Sequence, residues 1–272
     1  MKLNAKSLPL LMTASVDTRG MVGADFSAEV REKMYVEALS YYIQTILSEK
    51  DQKIVFAENS GWDICSLIQK LPRFNREQIE FISLDPNSFD NTRGKGYNEF
   101  LMINQVINLS TMIHASGGFL KVTGRYPVYN IEYYINIATK YLYEKGYSFY
   151  GDMKDHSLYD WLHTGWNGHA GYTVLFATTV ENWVTNLGHR YVEMNDAKGC
   201  LAEDVMYDYM KPFRRRNNAG VCCRFRREPV CGGMQGSRLN TISFSKSNKS
   251  IKSRVMRFVG NCIRFFMPWF WF

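Results

Sequence analysis

Two rhythms of apolar residues alternate along the first 150 positions. Short apolar runs at 8–14, 53–57, 79–84, 118–122 and 146–150 predict β-strands. Between them, apolar residues recur at intervals of three and four. The longest such stretch, 26–47, puts Tyr35, Ala38, Leu39, Tyr42, Ile43, Ile46 and Leu47 on one helical face, with Ser27 as N-cap. A short helix is predicted at 62–70. A longer one at 98–114 buries Phe100, Leu101, Ile103, Val106, Ile107 and Met112, and another follows near 131–143. Strand and helix in strict alternation predict an α/β fold: a mostly parallel sheet with helices on both faces.

After position 150 the rhythm loosens. The stretch 151–171 is polar and aromatic, holding Asp152, Asp155, His156, His163 and His169. A strand at 172–177 and helices at 180–187 and 202–210 are predicted before Pro212 closes the regular body. We expect three parts: a catalytic body over 1–212, a basic linker rich in Arg, Gly, Ser and Asn over 213–249, and an amphipathic helix over 250–272. Plotted as a helix, the last part gathers Ile251, Val255, Phe258, Val259, Cys262, Ile263 and Phe266 on one face, with Arg254, Arg257, Asn261 and Arg264 on or near the other.

Charge sharpens that division. The chain of 272 residues carries +7 overall. Its last part, 211–272, holds fourteen Lys and Arg against the single acid Glu228, which leaves residues 1–210 net acidic. A basic amphipathic helix followed by Trp269-Phe270-Trp271-Phe272 has the composition of an in-plane membrane anchor, so an anionic membrane surface is expected as partner, in preference to nucleic acid. No run approaches the ~18 apolar residues a membrane span needs. Six cysteines without a C-x-x-C pair suit a reduced, cytoplasmic chain at the inner face of the cell membrane.

In a parallel sheet, ligands bind beyond the carboxyl ends of the strands. Candidate chemistry therefore lies in the loops that follow them. Arg93-Gly94-Lys95-Gly96-Tyr97 precedes a helix, where two glycines would let backbone approach an anion and Lys95 would add charge. Arg125 follows the fourth strand and could clamp a phosphate. Asp152 and Asp155 follow the fifth and could hold a divalent metal (Mn²⁺ or Mg²⁺) on a diphosphate, although D-x-x-D is not D-x-D. Glu203 and Asp204, at the start of a late helix, are candidate general bases, with dipole-favoured N-terminal acids as the plain alternative.

The segments Leu10-Leu11-Met12-Thr13-Ala14, Lys53-Ile54-Val55-Phe56-Ala57-Glu58-Asn59-Ser60-Gly61, Gly94-Lys95-Gly96-Tyr97-Asn98-Glu99 and Lys121-Val122-Thr123-Gly124-Arg125-Tyr126, with Phe176-Ala177-Thr178-Thr179 and the acid Glu203, follow one another over most of 8–210. In that order the chain resembles a group of bacterial glycosyltransferases encoded for surface-polysaccharide synthesis. The resemblance implies a GT-A-like fold and a nucleotide-diphospho-sugar donor. It implies Thr13 and Glu58 near the nucleotide, Lys95 and Arg125 near the diphosphate, and Asp152 near the metal position. The acceptor would be a lipid-linked glycan or a polysaccharide. The alternatives are a nucleotidyltransferase on a similar sheet and a nucleic-acid-binding protein working through the basic tail.

Overall fold

The computed structural model describes residues 7–21, 23–48, 52–156, 168–214, 220–233 and 251–267. Its centre is a seven-stranded sheet in the order β3-β2-β1-β4-β8-β5-β9. The strands are β1 (Leu10–Ala14), β2 (Ile54–Glu58), β3 (Ile79–Ser83), β4 (Gly118–Thr123), β5 (Phe149–Tyr150), β8 (Leu175–Thr179) and β9 (Val221–Cys222). A separate two-stranded ribbon pairs β6 (Met153–Asp155) with β7 (His169–Gly171). The main helices are α1 (Ala28–Ile46), α2 (Ile64–Gln69), α3 (Lys95–Leu109), α4 (Thr111–Ser116), α5 (Ile131–Thr139), α6 (Ala202–Met210) and α7 (Ile251–Phe266). The mostly parallel α/β architecture expected from the apolar rhythm is the one observed.

Both sheet faces are covered, which is why the strands read as unbroken apolar runs. On β1, Leu10, Met12 and Ala14 point to the core under α1 and α5, while Leu11 points to the core under α3 and α6. β2 alternates in the same way, Ile54 and Phe56 against Val55 and Ala57. α1 begins where Ser27 accepts the Val30 N–H, as its sequence position predicts.

Two expectations change. β8 runs antiparallel between β4 and β5, so the fifth parallel strand does not neighbour the fourth. The alternation of a single strand does not encode its direction or its partner. The expected linker over 213–249 is also no linker throughout. Residues 220–233 are built into the body: β9 pairs with β5, and Phe225 is fully buried against Tyr134 and Tyr150. An aromatic and three cysteines among the arginines supply enough apolar surface to be worth burying. The strongly basic composition masked that. Among the described residues, no helix is long and apolar enough to cross a membrane.

Candidate functional site

On the α3 side of the sheet the apolar alternation breaks at the ends of β1 and β4, and the candidate site lies there. Leu11 on β1 is followed by Thr13, and Phe119 on β4 by Lys121 and Thr123. Lys121 is fully buried. Its Nζ reaches Glu99 Oε1 at 2.7 Å, Thr123 Oγ1 at 3.0 Å and the Thr173 carbonyl at 2.7 Å. Burial pushes the Lys121 ammonium down, and the Glu99 carboxylate pulls it back up. Thr13 donates its hydroxyl to the same carboxylate at 2.6 Å. Polar groups at the carboxyl ends of two central strands thus form one connected floor.

A cavity of ≈ 390 Å³ opens over that floor, and Thr13, Lys95, Arg125 and Glu203 all line it. The structure brings these four sequence-level candidates together from β1, α3, the loop after β4 and α6. Arg31, Tyr35, Glu99 and Asp196 join them. Three of the lining residues are cations without an ion-pair partner among the described residues. Arg125 donates Nη2 to the Tyr126 hydroxyl at 2.9 Å and lies over that ring, and its buried Nε has no hydrogen-bond partner. Arg31 donates Nε and Nη2 to the Ser15 carbonyl at 2.9 and 2.7 Å, and its buried Nη1 has no partner. Lys95 gives Nζ to the Gly23 carbonyl at 2.9 Å, and burial together with the Arg125 charge holds its ammonium below the usual lysine range. Buried donors without acceptors are costly in a folded protein and point to a group that completes them.

The glycine loop works differently from its sequence reading. Gly94 has φ 99°, and a Cβ there would stand 2.3 Å from Asp196 Cγ. A Cβ on Gly96 would stand 2.7 Å from the Ala202 Cβ. The glycines admit the chain's own 196–202 segment rather than an anion. The N-terminal Lys95 N–H of α3 donates to Asp196 Oδ2 at 2.9 Å, so this helix end already has its carboxylate. Gly94→Ala should therefore destabilise the fold by about 1–3 kcal/mol, read as a lower urea midpoint.

The remaining candidates lie elsewhere. Glu58 is fully buried beneath the site. It accepts the N–H groups of Val16, Ser60, Gly61 and Trp62 at 3.0–3.1 Å and the Ser60 hydroxyl, so it ties the loops after β1 and β2 together. Asp204 accepts the Leu201 N–H at 3.1 Å and caps α6, as the plain reading of an N-terminal acid predicts. Glu203, its neighbour, lines the cavity, takes a hydrogen bond from Thr173 Oγ1 at 3.2 Å, and is pushed above the usual carboxylate range by burial.

Asp152 and Asp155 do not line the cavity. Asp152 accepts Arg264 Nη1 at 2.8 Å and the Phe225 N–H at 3.1 Å, with Arg224 Nη1 at 3.9 Å. Asp155 receives Arg214, Tyr207 and His169. Carboxylates engaged by arginines do not fit a divalent metal, and no group of three His, Cys, Asp or Glu among the described residues does either. The D-x-x-D spacing signalled two acids close together but not the arginines that meet them from 59 to 112 residues away.

Sequence reasoning passed over Arg31 and did not single out the Glu99–Lys121 pair. A signal was present for both. Arg31 sits four residues before Tyr35 on the buried stripe of α1, and Lys121 sits inside an apolar strand. A charge on an apolar face needs a partner or a ligand.

No protein-family model and no curated protein sequence matches the chain. Solved structures with similar folds include mouse xyloside xylosyltransferase 1 in its apo form, at 10% identity and TM-score 0.45, over 75% of this chain and 81% of that one. The apo bifunctional glycosyltransferase WbbM shares 10% identity at TM-score 0.44, over 81% of this chain, which spans only 39% of WbbM. The mannosyltransferase Ktr4p from S. cerevisiae shares 8% identity at TM-score 0.45, over 94% of this chain and 83% of that one. Likenesses of this size assign no activity.

Proposed function

We propose that the chain is a glycosyltransferase of GT-A type whose cavity receives the diphosphate of a nucleotide-sugar donor. The single observation that carries this reading is the set of three cations, Arg31, Lys95 and Arg125, lining one cavity at the strand ends without ion-pair partners among the described residues. A diphosphate brings the charge and the acceptor oxygens that two buried guanidinium N–H groups lack. Thr13 and Ser15 offer hydroxyls at the β1 end for the nucleotide, and Glu58 holds the loops that carry them. Glu203 is the general base toward the acceptor hydroxyl. Burial holds its carboxyl above the usual carboxylate range, which makes it a stronger base than a solvated carboxylate. The acceptor is a lipid-linked glycan or polysaccharide in surface glycan synthesis, met at the inner face of the cell membrane.

The three side chains carry the countercharge to the phosphates, and no step is assigned to a metal. A thermal-shift panel with UDP, GDP, CMP and dTDP on the full chain tests this. One nucleoside diphosphate should raise the melting temperature, because a ligand that binds only the folded state must stabilise it. The shift should be the same with Mn²⁺ or with EDTA, and Arg125→Ala should remove it while the unliganded protein still melts cooperatively. No shift with any diphosphate would end this reading of the cavity. A shift only with Mn²⁺ would restore the metal.

A further inference from the structure

Helix α7 docks inside out. An amphipathic helix that joins a protein core turns its apolar stripe inward. Here the deepest contacts are made by a glycine and a charged residue: Gly260 and Arg264 are buried, and Asn261, Cys262 and Ile263 are half-buried beside them. Arg264 Nη1 donates to Asp152 Oδ2 at 2.8 Å and to the Phe225 carbonyl at 3.1 Å, and its Nε lies 3.6 Å from Glu228 Oε1. Asn261 Oδ1 accepts the Glu228 N–H at 2.9 Å. At Gly260 the helix approaches the same carboxylate closely: a Cβ would stand 2.7 Å from Glu228 Oε1, so a larger residue would displace that side chain. The opposite face shows Ile251, Val255, Met256, Phe258, Val259, Phe265 and Phe266 to solvent, with Phe258 69% and Phe266 70% exposed. A monomer does not leave so much contiguous apolar surface on one helix without a partner for it.

We propose that α7 lies in the plane of an anionic phospholipid surface, apolar face down, with the body carried on its polar face by an Arg264–Asp152–Glu228 clasp. Charge selects this occupant. Arg254 is exposed beside the apolar face, and 211–272 remains strongly basic in sequence after Arg214, Arg224 and Arg264 are set aside for the carboxylates of the body. Anionic head groups meet that charge, whereas a second copy would bring two basic helices together. In the sequence, Trp269-Phe270-Trp271-Phe272 follow Pro268 and are residue types favoured at the membrane interface. Because the clasp is made to the body, the anchor is not a tethered appendage: the bilayer fixes how the body faces it. This deepens the membrane-side acceptor reading above, but binding to lipid does not depend on transfer.

The test is co-sedimentation of the full chain with phosphatidylglycerol-containing vesicles and with pure phosphatidylcholine vesicles. The chain should sediment with the first and much less with the second. Phe258→Ser with Phe265→Ser should weaken sedimentation roughly tenfold or more and leave the melting temperature and its response to nucleotide unchanged. Amide exchange over α7 in the absence of lipid should rise in Asp152→Asn, with vesicle binding retained. The anchor is overturned if the wild-type chain stays in the supernatant, if the double variant binds as well as wild type, or if the double variant instead disperses a concentration-dependent dimer. The clasp is overturned if Asp152→Asn leaves the exchange of α7 unchanged. A positive vesicle result without any nucleotide shift would leave the anchor standing and remove the donor reading alone.

Discussion

Glu203→Gln should lower sugar transfer by about 10²–10⁴-fold and at the same time raise the melting temperature at neutral pH. The two effects share one cause. Glu203 lines the cavity, and its carboxyl is pushed above the ordinary range, by burial first and by the neighbouring charges of Glu99 and Asp196 after that. A carboxyl whose folded pKa is raised is penalised as an anion, so it costs stability at pH above its folded pKa. That cost is relieved as pH falls through the folded value. Glutamine has the same shape, still accepts from Thr173 Oγ1, and carries no charge to desolvate. The gain in melting temperature should therefore shrink as pH falls through the folded value and vanish below the ordinary carboxylate range, where Glu203 is neutral in both states. Melting curves against pH together with a transfer assay check this. A Gln variant with full transfer would remove Glu203 as the base, and one melting lower than wild type at neutral pH would contradict the burial penalty.

Asp152→Ala should cost about 3–5 kcal/mol of folding stability. Its reason is electrostatic. Burial, with the Arg264 charge adding to it and Asp152 opposing, holds Arg224 down to about 10. Arg264 feels the same burial, yet Asp152 lifts it above the usual arginine range, because it makes the 2.8 Å contact while Arg224 stands at 3.9 Å. Removing the carboxylate takes the nearest negative charge from two buried guanidinium groups, leaving Arg264 with Glu228 at 3.6 Å and the Phe225 carbonyl, and the Phe225 N–H loses its acceptor. Asp152→Asn should cost less, since the amide oxygen still takes that N–H. Chemical denaturation of the two variants measures the difference. A destabilisation below 1 kcal/mol for the Ala variant would mean that these arginines are solvated. This prediction separates the structural role from the metal role first expected of Asp152: a metal ligand would cost activity, while the clasp costs stability.

How far the chain could be read before its structure depends on the range over which each feature is decided. The alternation of short apolar runs with three- and four-residue periods determined the strands, the long helix with its Ser27 cap, and the two-sided burial of the sheet. These are local properties, because side-chain period and capping are settled within a few residues. It also pointed to the strand ends, where a parallel sheet leaves polar loops, and Thr13, Lys95, Arg125 and Glu203 line one cavity there. The amphipathic character of 251–266 was equally legible. The tertiary structure alone decided the rest. It inserted β8 antiparallel between β4 and β5. It closed the Gly94 loop on Asp196. It brought Arg31 and the Glu99–Lys121 pair to the cavity, and gave Asp152 to Arg264, 112 positions along the chain. Hydrophobic periodicity says which residues share a face. It does not say what that face meets, and for α7 the answer was the reverse of the ordinary one, because a buried arginine with a waiting carboxylate held the polar side in.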